Sequence, residues 1–157
     1  MSNSENTSAQ PSGWKRRKSR RALVQAIYQW QLSGHSLTTL LADFHDGESL
    51  KKADVEFFET QLQHVVQGTD ELDALFEPLL DRPINQLDQI ETAVLRLATA
   101  ELHHRIDVPF KVVIDEYVEL TKTFGAQDAW KYINGVLDKL AATERAIEVN
   151  HHNATKS

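Results

Sequence analysis

The sequence predicts an all-α fold of about seven helices arranged in two small packed bundles. Three observations support this prediction. Apolar residues recur at helical spacing along nearly the whole chain. Only 6 Gly and 4 Pro occur in 157 residues, which leaves few positions for the many tight turns of a β fold. A break at Arg82-Pro83 divides the pattern and predicts subdomains at about residues 14–81 and 84–148.

Four helices are predicted in the first half of the chain. The first runs from about Trp14 to Leu32, and its apolar stripe consists of Leu23, Ile27 and Trp30. A short second helix and two longer ones follow, separated by polar residues. Their boundaries are marked by residues that typically cap or end a helix: Gly34, Ser36, Asp54 and Gly68.

Three further helices are predicted in the second half. The fifth helix, at about residues 86–105, is the most continuously apolar and is expected to be central. Asn85 with Asp88 resembles a capping box at its start. Pro109 suits the first turn of the sixth helix, and Gly125 ends it. The seventh helix starts a few residues later.

The ends of the chain and its composition limit the class of protein. Residues 1–13 form a polar leader and residues 149–157 a polar tail, and both are predicted to be disordered. The absence of cysteine excludes disulfides and thiolate chemistry. No apolar run approaches the roughly 18 residues of a membrane span. A cytoplasmic location is expected, whereas Glu5 argues against the alternative of a mitochondrial transit peptide.

One short stretch differs in charge from the rest of the chain. Between Lys15 and Arg21 six residues are basic, in a chain whose formal net charge is −6. Cations at the start of a helix oppose the helix dipole, so helix stability does not explain them. They predict a surface for a polyanion, or alternatively a nuclear localisation signal. Six contacts to the phosphates of a single strand would give a log–log salt slope of about −4.

No catalytic or metal site is predicted. The chain has no phosphate-binding glycine loop and no HExxH motif. Carboxylates such as Glu116 and Glu119 are typical of the solvent face of an amphipathic helix. The neighbouring His103 and His104 point in different directions on a helix, which disfavours a shared metal. The chain is therefore predicted to be non-catalytic, with no metal and no cofactor.

Four segments resemble the NusB family of bacterial transcription antitermination factors. They are RRALVQAIYQWQLSG (20–34), ETAVLRLATAEL (91–102), DVPFKVVIDEYVELTKTFGAQDA (107–129) and KYINGVLDKLA (131–141). The resemblance covers about residues 15–142 and implies an all-α fold. It also implies a heterodimer with the ribosomal protein NusE that binds the boxA element of nascent ribosomal RNA leaders. The resemblance further implies that this complex joins RNA polymerase with other Nus factors and lets the polymerase read through terminators.

The resemblance implies which residues meet each partner. Tyr28 and Glu91 would contact NusE, and the acidic Glu91 suits a basic ribosomal protein. Among the aromatic residues near the basic stretch, Tyr132 is the candidate for stacking on a base, whereas Trp14 is expected to belong to the core. The residues implied in RNA binding are Arg16, Arg17, Lys18, Arg20, Gln127, Asp128, Lys131 and Tyr132.

Two positions and two other functions stay open. Arg21 stands where the family would have a neutral or acidic residue, and predicts steeper salt dependence. Arg96 could face RNA or form a structural ion pair.

A NusB-like domain also forms the N-terminal part of certain ribosomal-RNA cytosine methyltransferases. The glycine-rich cofactor loop of those enzymes is not among these residues. A protein-interaction module with a basic targeting arm is the other alternative; in that case substitutions of Arg16, Arg17 and Arg20 would change localisation and leave RNA affinity unchanged.

Overall fold

The computed structural model describes the backbone of residues 2–156 and the side chains of residues 13–155. Within this part of the chain the backbone forms eight α-helices, two single 3-10 turns and no strand, which confirms the predicted all-α fold. No helix among these residues is long and apolar enough to cross a membrane. The helices are α1 (Ser2–Ser33), α2 (Leu37–Asp46), α3 (Val55–Gln67), α4 (Thr69–Phe76), α5 (Gln89–His104), α6 (Phe110–Phe124), α7 (Ala129–Glu144) and α8 (Ala146–Lys156).

Short polar side chains fix where several helices begin. The predicted N-caps Ser36 and Asp54 are confirmed, since each accepts a hydrogen bond from a backbone N–H in the first turn of α2 or α3. The capping box of α5 lies three residues later than predicted. Asp88 is the N-cap and Glu91 completes the box, because Asn85 is part of the 3-10 turn Ile84–Gln86.

The fifth helix is central, as predicted. Between residues 92 and 102 every side chain except Arg96 is buried, and α5 packs against α1, α3, α4, α6 and α7. A cluster of buried apolar residues includes Leu23 and Ile27 of α1, Phe57 and Phe58 of α3, and many side chains of α5, α6 and α7. Helix α1 therefore packs against helices that precede the Arg82-Pro83 break and against helices that follow it. The division into two subdomains stays a prediction.

Both ends of the chain are helical where the structure describes their backbone, and the disorder of residues 1–13 and 149–157 stays a prediction. Helix α1 includes residues 2–13, and α8 includes most of the predicted tail, while Met1 and Ser157 lie outside the described residues. The start of α8 is anchored by Arg145, whose guanidinium donates to the carbonyls of Leu102, Arg105 and Val108 at 2.7–2.9 Å. These bonds satisfy carbonyls at and beyond the end of α5, which otherwise lack helical partners.

Candidate nucleic-acid interface

The basic residues between Lys15 and Arg21 belong to the middle turns of α1 and lie on different faces of the helix. Successive residues of an α-helix are about 100° apart, so neighbours in sequence meet different surroundings. Arg16 and Arg20 lie four residues apart on the side that packs against Phe57 of α3. Arg17 and Arg21 instead contact residues of α6. The basic stretch therefore has an inner set of cations, Arg16 and Arg20, and an outer set, Arg17 and Arg21.

Arg20 lies in the interior of the protein. Its Nε and Nη2 donate to the two carboxylate oxygens of Glu101 at 2.8 Å each, and Tyr117 donates its hydroxyl to the same carboxylate at 2.9 Å. Only 3% of the Arg20 side chain is exposed. Burial by itself lowers the pKa of Arg20, but the hydrogen bond to Glu101 and the charges of Glu101, Tyr117 and Glu116 together outweigh burial and raise that pKa. Burial and the nearby Glu101 raise the pKa of Tyr117 well above its ordinary value.

This position differs from the predicted RNA contact. The guanidinium of Arg20 could reach a phosphate only by leaving Glu101 uncompensated in the core, which is strongly unfavourable. In the structure Arg20 joins α1 to α5 and α6. No local sequence pattern links Arg20 to Glu101, which is 81 residues away along the chain.

Arg17 lies on the outer side of the helix, where it pairs with Glu116 of α6. Its Nε and Nη2 donate to the two carboxylate oxygens of Glu116 at 3.3 and 3.0 Å. The Arg17 side chain is nevertheless 69% exposed, whereas Glu116 is 15% exposed and also lies 3.5 Å from Nη1 of Arg20. A guanidinium has five N–H donors, so Arg17 can still bind an anion from solvent. Glu116 is thus only partly on the solvent face predicted for it.

Arg16 and Lys18 are held by the loop that precedes α3. Arg16 is 26% exposed and lies 3.4 Å from the carboxylate of Asp54 and 3.5 Å from that of Asp107. Lys18 donates from Nζ to the backbone carbonyl of Lys51 at 2.8 Å. Both cations are half-buried, but neither is enclosed as Arg20 is. Their positions are compatible with the predicted contact to RNA phosphates.

Two further residues border this surface, and one of them differs in exposure from what the sequence indicates. Trp14, expected in the core, is 54% exposed and has Nζ of Lys18 5.6 Å from the centre of its ring. Arg21 places its guanidinium 5.2 Å from the ring centre of Phe124 at the end of α6. The basic stretch thus follows α6 from its N-terminal half towards its C-terminus.

The turn between α6 and α7 and the first turn of α7 carry three of the predicted RNA-binding residues. Gln127, Asp128 and Lys131 are all exposed. Asp128 adopts a left-handed backbone conformation with φ of 68°, which Asp tolerates better than most residues do. Its carboxylate lies 3.6 Å from Nζ of Lys131. The turn starts just after Phe124, so this group lies near Arg21.

The two aromatic residues of α7 are partly covered. Tyr132 accepts a hydrogen bond from the backbone N–H of Asp81 at 3.2 Å, and the guanidinium of Arg82 lies 4.7 Å from its ring centre. Burial is the main reason why the pKa of Tyr132 is raised. The ammonium group of Lys122 lies 4.6 Å from the ring centre of Trp130. Stacking of Tyr132 on a base therefore stays a prediction, and would use the ring area not covered by Arg82.

An apolar pocket of about 480 Å³ lies farther along α1. Tyr28 is 39% exposed and Leu32 is 60% exposed, although both are large and largely apolar. Such a concave surface is suited to an apolar side chain of another protein. The lining residues are Val24, Gln25, Tyr28, Gln29, Leu32, Ser33, Ile90 and Phe124.

Glu91 is next to this pocket and has a local role. Its carboxylate accepts a hydrogen bond from the backbone N–H of Asp88 at 3.0 Å as part of the capping box.

Arg96 forms a structural ion pair, which was one of the two roles that the sequence left open for it. Its guanidinium donates two hydrogen bonds to the carboxylate of Asp73, at 3.0 and 2.9 Å. In residues 13–155 no group of three His, Asp or Glu side chains is arranged to hold a metal ion.

The carboxylates that form ion pairs with the arginines of the basic stretch were not predicted from the sequence. Glu101 and Glu116 come from α5 and α6, and no local pattern links them to α1. Glu101 is recognisable only as a charged residue within an otherwise apolar helix, which indicates a buried pair. Asp54 was identified as an N-cap, but its second role as a partner of Arg16 depends on the fold.

Comparison with known proteins gives a consistent family assignment. The family model described as "NusB family" matches residues 17–142. The chain is 47% identical to the transcription antitermination protein NusB of Cupriavidus pinatubonensis over 134 residues, which are 85% of this chain and 80% of the relative. It is 49% identical to that of Idiomarina loihiensis, over 83% of this chain and 94% of the relative.

A solved structure shows the same fold. The NusB structure from T. maritima superimposes with a TM-score of 0.72 and is 30% identical, over 82% of this chain and 91% of that one. The residues that the family model matches, 17–142, include Arg17 and Arg21 of α1, the residues of the apolar pocket and the turn between α6 and α7. This chain belongs to the NusB family.

Proposed function

We propose that the protein is a non-catalytic transcription antitermination factor. With the ribosomal protein NusE it binds the boxA element of nascent ribosomal RNA leaders, and the complex joins RNA polymerase and other Nus factors in the cytoplasm. The observation that carries this proposal is the division of α1, which has exposed cations in its middle turns and an open apolar pocket along its last turns.

The RNA part of the proposal is supported by charge and exposure. Arg17 and Lys18 place positive charges on the middle turns of α1, while Gln127 and Lys131 place polar side chains near the end of α6. Cations bind the phosphates without regard to sequence, and polar side chains can read the edges of unpaired bases. The arrangement suits a single strand that runs along α6.

The partner part of the proposal is supported by the apolar pocket. Tyr28 borders it, and Ile90 places the start of α5 on its opposite side. Exposed aromatic residues in a pocket commonly act as anchors of protein interfaces. Glu91, one residue further on, adds a negative charge that suits a basic ribosomal protein.

Both surfaces belong to one helix, which gives a physical reason for cooperation between the partners. Arg17 and Tyr28 are eleven residues apart, or about 16 Å along the helix axis. A protein bound at the pocket would therefore lie close to RNA bound at the cations. It could extend the RNA-binding surface without any change in the shape of α1.

The decisive experiment titrates labelled boxA RNA with the protein, with and without NusE, at several salt concentrations. We expect weak binding by the protein alone and much tighter binding by the complex. Tyr28→Ala should abolish the gain from NusE, whereas Lys139→Ala on the exposed side of α7 should leave it unchanged. Equal affinity for a scrambled RNA, or no gain on adding NusE, would contradict the proposal.

A further inference from the structure

A groove of about 620 Å³ lies between α1 and α6. Along α1 it extends from Trp14 to Arg21 and so precedes the apolar pocket. The α1 wall carries Trp14, Arg17, Lys18 and Arg21, and the α6 wall carries Glu116 and Glu119 among other residues. Its volume is within the range of about 300–1,000 Å³ that is typical of small-molecule pockets. The groove is open to solvent along its length.

We propose that this groove binds one unpaired nucleotide of the RNA, with the base stacked on Trp14 and the adjoining phosphate held by Arg21 and Lys18. The inference rests on the proposed function and adds to it a base-binding site in the middle turns of α1. The ligand class is a single-stranded nucleotide whose base carries an exocyclic amino group.

The exposure of Trp14 is the first argument. Its indole is 54% exposed, and it is not part of the buried apolar cluster. An exposed tryptophan contributes little to folding, but its flat face is suited to stacking on a base. The ammonium group of Lys18, 5.6 Å from the ring centre, favours one orientation of the ring through a cation–π contact. The ring is therefore partly preorganised beside the cations.

Arg21 provides the second argument. It lies seven residues from Trp14, or about 10 Å along the helix axis, at the other end of the groove. Its guanidinium lies over the ring of Phe124, and it has no ion pair with any of the side chains of residues 13–155. Like Lys18, it has no carboxylate partner among these side chains, whereas Arg17 shares Glu116. A phosphate would supply the missing charge partner.

The carboxylates of the α6 wall provide the third argument. Glu116 and Glu119 repel phosphates, so the backbone of a bound nucleotide is favoured on the α1 side. Carboxylates accept hydrogen bonds from amino groups on base edges, as they do from the amino group of cytosine. The groove therefore favours adenine, cytosine or guanine over uracil, which has no amino group.

Substitutions of Trp14 test the stacking. RNA with boxA and unpaired flanks is titrated against the complex with NusE, using Trp14→Ala, Trp14→Phe and Trp14→Leu. We expect Trp14→Ala to weaken binding about 5- to 150-fold, the usual loss for one stacked base. Trp14→Phe should retain most of the affinity and Trp14→Leu should not, because only an aromatic ring stacks. Ile147→Ala, which removes another exposed apolar side chain, is the matched control.

Abasic nucleotides placed one at a time along the same RNA locate the base. One position should weaken binding to the unaltered protein and have no effect on Trp14→Ala. A uracil at that position should also bind more weakly than adenine or cytosine. Arg21→Gln should make the log–log salt slope shallower by about 0.7, as expected for one lost phosphate contact.

The outcomes separate the two proposals. If the complex binds boxA RNA tightly and specifically, but Trp14→Ala binds equally well, the nucleotide site is overturned and the proposed function stands. Equal affinities for Trp14→Phe and Trp14→Leu would also overturn stacking. If the complex shows no specific RNA binding at all, the proposed function itself fails. Circular dichroism of each variant confirms that a loss of affinity is not a loss of fold.

Discussion

Arg17 and Arg20 are three residues apart on the same helix, yet their surroundings are opposite. Each pairs with a glutamate through two hydrogen bonds. Arg20 and Glu101 are both buried and receive a further bond from Tyr117, whereas Arg17 is largely exposed above a partly buried Glu116. The difference teaches that a run of basic residues is not one ligand-binding unit. Part of the run maintains the fold and part remains available for an anion.

The largest expected effect tests the buried half of this comparison. Arg20→Ala leaves the carboxylate of Glu101 buried without its charge partner, which typically costs about 3–5 kcal/mol. Urea denaturation should show a loss of this size in the free energy of unfolding. Arg17→Ala is the control, and its loss should stay below about 1 kcal/mol because its pair is exposed to solvent. Similar losses for both variants would contradict the division into inner and outer cations.

The next effect tests the exposed half. Arg17→Ala removes a charge-assisted contact to phosphate, for which about 1.5–3 kcal/mol is typical. The affinity of the NusE complex for boxA RNA should therefore fall about 10- to 150-fold. The measurement is a fluorescence titration at fixed salt, with Lys139→Ala as the control for a lost exposed charge. Unchanged affinity would mean that Arg17 is neutralised by Glu116 and does not meet RNA.

Alkaline pH tests the buried cluster without removing a charge. The pKa of Tyr117 is raised in the folded protein, while in the unfolded chain it is about 10. Its contribution to stability is therefore complete below about pH 10 and is lost as the pH rises further, because the unfolded chain releases the proton first. The slope from one such group reaches about 1.4 kcal/mol per pH unit. Tyr117→Phe should flatten the decline in unfolding free energy above pH 10, and Tyr28→Phe should not.

The smallest expected effect tests whether Glu116 competes with RNA. Glu116→Gln removes the carboxylate that occupies one edge of Arg17 and a negative charge from the groove, while the amide oxygen of Gln can still accept a hydrogen bond from the amino group of a base. We expect a several-fold increase in RNA affinity, largest at low salt, where charges are least screened. Asp43→Asn makes the same charge change on the exposed side of α2 and should have little effect. A decrease in affinity would show that Glu116 positions Arg17 for RNA instead of blocking it.

The fold could be predicted largely from the sequence because periodicity is a local property. The stripe of Leu23 and Ile27 and the N-caps Ser36 and Asp54 depend only on nearby residues. Helix α8 was missed because its sequence is polar. It is held by Arg145, whose acceptors lie about 40 residues earlier in the chain.

The candidate site could be predicted only in part. The position of the basic stretch was evident from charge, but the roles of individual arginines depend on carboxylates that are distant in sequence. Trp14 was expected in the core because aromatic residues usually are, and its exposure depends on where α1 leaves the other helices. The neighbours of the apolar pocket come from α1, α5 and α6 and become adjacent only in the fold.

Arg145 has a practical consequence for shortening the chain. The match to the NusB family ends at residue 142, which suggests a natural place to truncate the protein. A chain that ends there would lose the guanidinium that caps the C-terminal end of α5. It would also lose Glu148, which accepts the backbone N–H of Phe110 at the start of α6. The residues that cap α5 and α6 therefore extend beyond the end of the family match, and residues 143–148 must be kept for the central helix to be fully capped.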